Sequence, residues 1–325
     1  MPLLSITIPT YNRAKYLELC LNSLVDALPA DYISNIEIIV LNNSSTDNTE
    51  DIILKAKKRL DLIYIKNNIN IGPDENFKKC IDVANGRYVW IFGDDDIFFK
   101  NSIQYILNLL KKSSQIGLIH LKAKNFQEDK EILNYSIKKP TYIEYTISSE
   151  FIKSVHTNIT FISANIFNKS LLNNIQLNNI PNNNLGQVYW NLLVAIRGLT
   201  NIYVNCNIFA ARQFNSANYE FCEVFGKNFI EILDLMEEKY NIRPLTIIIK
   251  KRLLCFYYPM NIMRLKSNKS KVQYSNNCFK ILFAYFKFEK CFWIFTVLFI
   301  FMPHFFTKFL LILIDKLRYI KDSNK

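Results

Sequence analysis

The sequence predicts an α/β fold, a mostly parallel sheet with helices on both faces, and a helical region appended at its C-terminal end. Three observations predict it. Short apolar, β-rich runs alternate with stretches of helical spacing as far as residue 121. Polar clusters follow the first, second and fourth of those runs. From about residue 226 the pattern turns helical and ends in an aromatic, basic tail. Such alternation builds βαβ units, in which a helix returns the chain to the start of the next parallel strand.

Leu3–Ile8 is the first strand and stops at Pro9-Thr10-Tyr11-Asn12. Leu17, Leu21, Leu24 and Leu28 then recur at three- and four-residue spacing, one face of a helix. Glu37–Leu41 is a buried strand ended by Asn42-Asn43-Ser44-Ser45, and Asp47 with Glu50 makes a capping pair for a helix through Lys58. Leu62–Ile65 is a third strand. Asp74–Ala84 is a helix with Asn85-Gly86 as its C-terminal cap. Arg87–Phe92 is a fourth strand that runs straight into Gly93-Asp94-Asp95-Asp96. A helix over Ser102–Lys112 and a strand over Ile116–Leu121 complete the alternation. Beyond it the expected strands are short (Tyr142–Ile147, Ile159–Ala164, Ile202–Asn205), with a helix near Val188–Arg197. Two helices around Arg243-Pro244 occupy 226–258, and a polar, basic linker, Arg264–Asn277, leads to the tail. The expected division is one domain over 1–225, with 1–125 and 126–225 as its two sides, and a helical region over 226–325.

Half of the 325 residues are apolar while Gly and Pro number only 7 and 9, which suits a packed core and excludes a disordered or fibrous chain. The formal charge of +12 is unevenly placed. Residues 1–150 hold 18 basic and 19 acidic side chains, whereas 250–325 hold 15 and 3, so the excess lies in the tail. A basic patch suits nucleic acid or an anionic membrane, and the aromatic and aliphatic content of the same segment favours the membrane. Seven scattered cysteines without a CxxC pair read as free thiols of a reducing compartment. His120, His156 and His304 stand far apart and form no zinc pattern. The chain opens on a strand rather than on a basic stretch followed by an apolar one, so no signal peptide is expected and the protein is expected to face the cytoplasm.

In open α/β sheets ligands bind at the carboxyl ends of strands. The clusters PTYNR, NNSSTD and GDDD all fall there. Three adjacent carboxylates repel one another, and at the end of an apolar strand that is costly unless a cation neutralises them. Oxygen ligands select a hard divalent ion, Mn²⁺ or Mg²⁺, able to bridge a diphosphate and to stabilise charge on a departing nucleotide.

These residues carry a resemblance. LSITIPTYNR, EIIVLNNSSTDNT and NINIGPDENFKKCIDVANGRYVWIFGDDD resemble the strand, nucleotide loops and metal motif of family 2 glycosyltransferases, in particular members that build bacterial surface polysaccharides. The likeness covers about residues 3–125 and implies a GT-A, Rossmann-like fold. It implies that Pro9, Thr10, Tyr11 and Arg13 line the base and ribose pocket, that Asn42 contacts the base and that Asp47 sits at the second loop. Asp94 and Asp95 would meet ribose and metal, and Asp96 would be a metal ligand at the catalytic centre. Arg212 is a candidate for the diphosphate. The implied donor is a nucleoside-diphosphate sugar, most simply a UDP-sugar, and the acceptor a saccharide or lipid-linked glycan.

Two departures stand out. Asn42 occupies a position that is usually Asp in the family; its amide oxygen still accepts a hydrogen bond but carries no charge. Between Glu150 and Glu220 there is no Asp or Glu at all, and the usual acidic spot reads Leu185-Gly186-Gln187-Val188-Tyr189-Trp190. The base that deprotonates the acceptor must come from elsewhere, with Glu220, Glu223 and His156 as candidates.

Cys291–Ile314 is long enough to span a bilayer, but Pro303, His304 and Lys308 interrupt it. An in-plane or re-entrant contact is therefore favoured over a span, and a buried helix pair is the alternative. The sequence thus points to inverting, metal-dependent glycosyl transfer at the cytoplasmic face of the inner membrane, by a peripheral or monotopic protein that binds no nucleic acid. The rival is a non-catalytic, nucleotide-sugar-binding or scaffolding member of a glycan assembly complex.

Overall fold

The structure is a computed structural model and describes residues 1–31, 34–132, 137, 140–213, 219–267 and 277–323. The chain divides into two compact units, Met1–Gln213 and Phe214–Lys325.

In the first unit β1 (Leu4–Thr10), β2 (Ile36–Asn42), β3 (Leu62–Lys66) and β4 (Tyr88–Ile91) pair in the order β3-β2-β1-β4, all parallel. The crossovers are α1 (Ala14–Ala27), α2 (Thr49–Ala56) and α3 (Pro73–Val83). β1 is buried along its whole length, as a strand covered on both faces must be. Pro9 lies beyond the last β4 partner, Thr7 opposite Ile91, so its missing N–H costs no ladder bond.

After β4 come β5 (Ile97–Phe98), α4 (Ser102–Leu110), β6 (Ile116–Phe126), β7 (Tyr142–Tyr145), α5 (Ser148–Val155), β8 (Asn165–Asn168), α6 (Gly186–Arg197) and β9 (Thr200–Arg212). They extend the sheet as β4-β8-β6-β9-β5, with β7 also on β9. The parallel expectation holds for the first four strands and for β6 with β9. β8 runs antiparallel to both of its neighbours, and β5 and β7 run antiparallel to β9, so the sheet is mixed. The strand expected at Ile159–Ala164 is replaced by two 3₁₀ turns, His156–Thr160 and Ile162–Ala164. The reason lies in Asn165, whose amide donates to the carbonyls of Ile159 and Phe161 and so takes the groups a strand would have offered a neighbour.

Two caps differ from expectation. Glu50 does not reach back toward Asp47 but pairs with Lys66 of β3 at 2.5 Å, while Asp47 alone takes the Thr49 N–H at 3.1 Å. Gly86 does not close α3 in a left-handed cap. It is there for a close approach: a Cβ on it would stand 2.4 Å from Ser5 Oγ and 2.6 Å from Ser5 N.

In the second unit a π-helical stretch, Cys222–Asn228, runs into α7 (Phe229–Tyr240), followed by α8 (Arg243–Arg252). π-Helical Leu253–Tyr257 then leads into α9 (Tyr258–Lys266). α10 (Cys278–Phe286), π-helical Phe292–Val297, α11 (Leu298–Phe301) and α12 (His304–Ser323) complete it. The expected linker lies largely outside the described residues, which omit 268–276. The expectation that all cysteines are free does not hold, because Cys222 and Cys278 are disulfide-bonded across 56 residues. No spacing signal announces that pair; the packing of α10 on the Cys222–Asn228 stretch creates it. Cys20, Cys80, Cys206, Cys255 and Cys291 are free.

Candidate active site

The acidic turn leaves β4 at the carboxyl edge of the sheet and is built from below by aromatic packing. Trp90 meets Phe92 and Phe98 edge-on, and Phe92 stacks on Phe98 at 3.7 Å between ring centres. Trp90 Nε1 donates to the Ser163 carbonyl at 2.8 Å, and the Gly93 N–H donates to Ser163 Oγ at 2.9 Å. A Cβ at residue 93 would be tight, standing 3.1–3.3 Å from Ser163 Oγ, Asp95 Oδ1 and Asp96 Oδ2, so a side chain there would press on the acidic turn.

Asp94, Asp95 and Asp96 are 4, 6 and 3% exposed, so this is not a solvated acidic loop. Arg13 Nη1 reaches Asp94 Oδ1 and Asp95 Oδ2, each at 3.1 Å. The Arg212 N–H donates to Asp96 Oδ1 at 3.1 Å. Burial drives Asp94 up to about 6 against the opposing pull of Arg13. Burial and then the charge of Asp95 push Asp96 well above the usual carboxylate range. Asp94 Oδ2 is buried with no hydrogen-bond partner. Among the described residues no three His, Cys, Asp or Glu side chains form a closed metal set. Asp94 and Asp96 nonetheless offer carboxylate oxygens, the donor type that an oxygen-seeking divalent cation would take.

The first two loops interlock beside this turn. Asn43 N donates to the Thr10 carbonyl, Asn12 N to Ser45 Oγ, and Thr46 N to Asn12 Oδ1, with Asn12 left-handed at φ 51°. Asp47 accepts the Ala14 N–H at 3.0 Å; burial opposes its charge, but the Thr49 and Ala14 hydrogen bonds outweigh that and hold it below the ordinary value. Asn42 is fully buried, with Oδ1 on the Ser45 N–H at 2.8 Å and Nδ2 on Tyr64 Oη at 3.2 Å, so its amide serves the loop's own shape. Pro9 and Thr10 are buried, and Tyr11 is exposed at the rim.

The structure thus brings Thr10, Arg13, Asn42, Asp47 and the three aspartates to one sheet edge. Arg13 stands on the acidic turn. The Arg212 guanidinium lies over the rings of Tyr16 and Phe126 and bonds Asp129 at 2.8 Å. His156 ends α5 at φ 40° with Nδ1 3.4 Å from Thr157 Oγ1. Glu220 and Glu223 belong to the second unit, where Glu220 Oε2 accepts the Glu223 N–H and Glu223 pairs with Lys227 at 2.9 Å. Ser163, which pins the turn, had no signal in the sequence; it is one of many serines until the fold sets it opposite Gly93.

Residues 5–174 match the model of glycosyl transferase family 2. Abequosyltransferase RfbV of Salmonella typhimurium is 41% identical over 118 residues, 36% of this chain and 35% of that protein. The GalNAc(5)-diNAcBac-PP-undecaprenol beta-1,3-glucosyltransferase of Campylobacter jejuni is 28% identical over 199 residues, 59% of this chain and 60% of that protein. The matches therefore span less than two thirds of these relatives. Among solved structures, S. aureus TarS 1–349 superposes with a TM-score of 0.61 at 17% identity, covering 81% of this chain and 74% of that one. Its complex with UDP-GlcNAc gives 0.56 at 20% identity, covering 73% and 65%. With the family model spanning more than half of its residues and the fold shared with TarS, the chain belongs to glycosyl transferase family 2.

Proposed function

We propose that the chain transfers a sugar from a nucleoside-diphosphate sugar, with uridine as the expected base, to a saccharide or lipid-linked glycan acceptor in bacterial surface-glycan synthesis. The observation that carries this reading is the buried acidic turn at the carboxyl end of β4, clamped by Arg13 and by the Arg212 N–H. Arg13 holds Asp94 through Oδ1 and Asp95 through Oδ2, and the Arg212 amide holds Asp96 through Oδ1. Asp94 and Asp96 would hold Mn²⁺ or Mg²⁺. When bound, such a cation supplies positive charge for the departing diphosphate. The relative named for glucosyl transfer to an undecaprenol-linked glycan supports a saccharide acceptor. A single displacement by the acceptor hydroxyl gives inversion at the anomeric carbon.

The membrane side of the proposal rests on the second unit. Among the described residues no single helix is long and apolar enough to cross a membrane, but Phe292–Phe301 and His304–Ile314 pass together as a pair bent by 113°. Trp293, Ile294, Phe301, Phe305, Phe306 and Phe309 are exposed on it, in the region that carries the basic excess. Apolar exposure flanked by basic residues supports an in-plane or re-entrant contact with an anionic surface at the cytoplasmic face.

The test is incubation of the purified chain with a panel of nucleotide sugars, Mn²⁺ or Mg²⁺ and membrane extract, reading the nucleoside diphosphate released. Release from one donor, abolished by excess EDTA, is expected. Undiminished release in EDTA overturns metal dependence, and no release from any donor favours the non-catalytic reading.

A further inference from the structure

Between Glu150 and Glu220 the acceptor half has no carboxylate in sequence, yet the fold delivers one to it. α3 leaves the loop after β3 and returns to β4, so its N-terminus lies at the carboxyl edge of the sheet. α6 leads into β9, whose Thr200 pairs with Ile116 at the start of β6. It therefore also runs back along the sheet, and its N-terminus lies at the same edge as the acidic turn. Asp74, the second residue of α3, bridges the two: its Oδ2 accepts the Asn184 N–H at 2.8 Å, just ahead of α6. Lys78 fixes this arrangement by donating to the Ile180 carbonyl at 2.8 Å and Asn182 Oδ1 at 2.7 Å.

Asp74 Oδ1 is buried with no hydrogen-bond partner, and so are Gln187 Oε1, Trp190 Nε1 and Asn191 Oδ1 of α6. All four side chains are more than nine-tenths buried. Buried polar atoms left unpaired around one helix N-terminus are costly, and they mark a place built to meet polar groups from outside the chain. The place is joined to the acidic turn by a short path. Gln187 Nε2 donates to the Thr160 carbonyl at 2.9 Å, and three residues on, Ser163 Oγ takes the Gly93 N–H. Burial raises Asp74 above the ordinary carboxylate value, despite the Asn184 amide, Lys78 and the Gly186 amide, which makes it a stronger proton acceptor.

Resting on the glycosyl-transfer reading, we propose that Asp74 is the general base. The acceptor hydroxyl oxygen forms its bond to the anomeric carbon, and the bond from that carbon to the diphosphate oxygen breaks. The diphosphate leaves with the electron pair, and the hydroxyl proton passes to Asp74 Oδ1. That oxygen is covered in the unliganded chain, so the acceptor reaches it as side chains at the edge shift on binding.

The test compares full-length wild type, Asp74→Asn and Asp74→Glu. Asparagine keeps an oxygen for the Asn184 and Gly186 N–H groups, so a merely capping Asp74 tolerates it with little change in turnover. For a base, Asp74→Asn is expected to lower kcat about 100-fold or more. UDP affinity by calorimetry should stay within about twofold and Tm nearly unchanged. Asp74→Glu should retain part of the activity and move the acid limb of the pH–rate profile. Wild-type turnover in Asp74→Asn, or a loss of UDP binding or Tm that parallels the loss of turnover, overturns the assignment. If the asparagine variant does not fold, an unmoved acid limb in Asp74→Glu overturns it equally. A wild-type chain that consumes no donor overturns the transfer reading and Asp74's role with it, whereas active wild type beside an equally active Asp74→Asn overturns only the latter.

Discussion

Asp96 is buried beside Asp95 and takes the Arg212 N–H, so its charge works against the folded state while serving the site. Asp96→Asn keeps the hydrogen-bond acceptor and removes the buried charge. Turnover is expected to fall about a hundredfold or more, the scale of losing a few kcal/mol of transition-state stabilisation, while Tm does not fall. A thermal melt beside a rate assay checks both parts, and wild-type turnover would remove Asp96 from the metal site. His120 gives a separate handle on stability. Asn165 donates to two carbonyls and turns its Oδ1 toward His120 Nδ1 at 2.9 Å, which makes that nitrogen the protonated one of the neutral ring. Burial lowers His120 from 6.5 to about 4. The unfolded chain then takes up a proton between those values that the folded chain refuses. The contribution is complete above about pH 6.5 and lost as pH falls through about 4, and it amounts to about 3 kcal/mol. His120→Gln should flatten the denaturation midpoint across that window, and an unchanged slope would exclude His120 as its source.

At the level of elements, alternation and periodicity made β1 to β4 and α1 to α3 legible, because a strand buried on both faces and a one-faced helix each leave a pattern in the residues. β8 was not legible. It is four residues long, two of them asparagines, and it is a strand only because β4 and β6 stand on either side. Gly86 shows the same limit: the residue was visible as punctuation, but the reason for it is contact with β1. Gly86→Ala, with its Cβ pressed on backbone, is expected to cost about 1–3 kcal/mol, read as a lower denaturation midpoint. The Cys222–Cys278 link closes a 56-residue separation, which chain-entropy arguments value at about 4 kcal/mol. Cys278→Ser should lower the Tm of the second unit; melts of oxidised and reduced protein that coincide would argue against the link.

For the molecule as a whole, charge and apolar exposure gather in the second unit. Each Lys or Arg close to an anionic leaflet contributes about 1 kcal/mol, screened within a Debye length, and apolar insertion adds a part that salt does not reach. The full chain is expected to sediment with anionic vesicles, to be released little by high salt and mostly by detergent. Replacing exposed Phe305, Phe306 and Phe309 with Ser should weaken that binding without lowering Tm. A full-length chain monodisperse in the soluble fraction without detergent would rule the membrane contact out.

The sequence by itself determined the α/β character of the N-terminal half, the polar strand ends and the acidic turn as the chemical centre. Local pattern suffices for these, since apolar runs must be buried and crowded carboxylates need a cation. Only the tertiary structure decided what meets what: Arg13 on Asp94 and Asp95, Ser163 under Gly93, Cys222 on Cys278, and Asp74 at the start of α6. Each of these joins residues between 56 and 110 positions apart. Contacts over such separations follow from strand order and helix direction, which no local run of residues encodes.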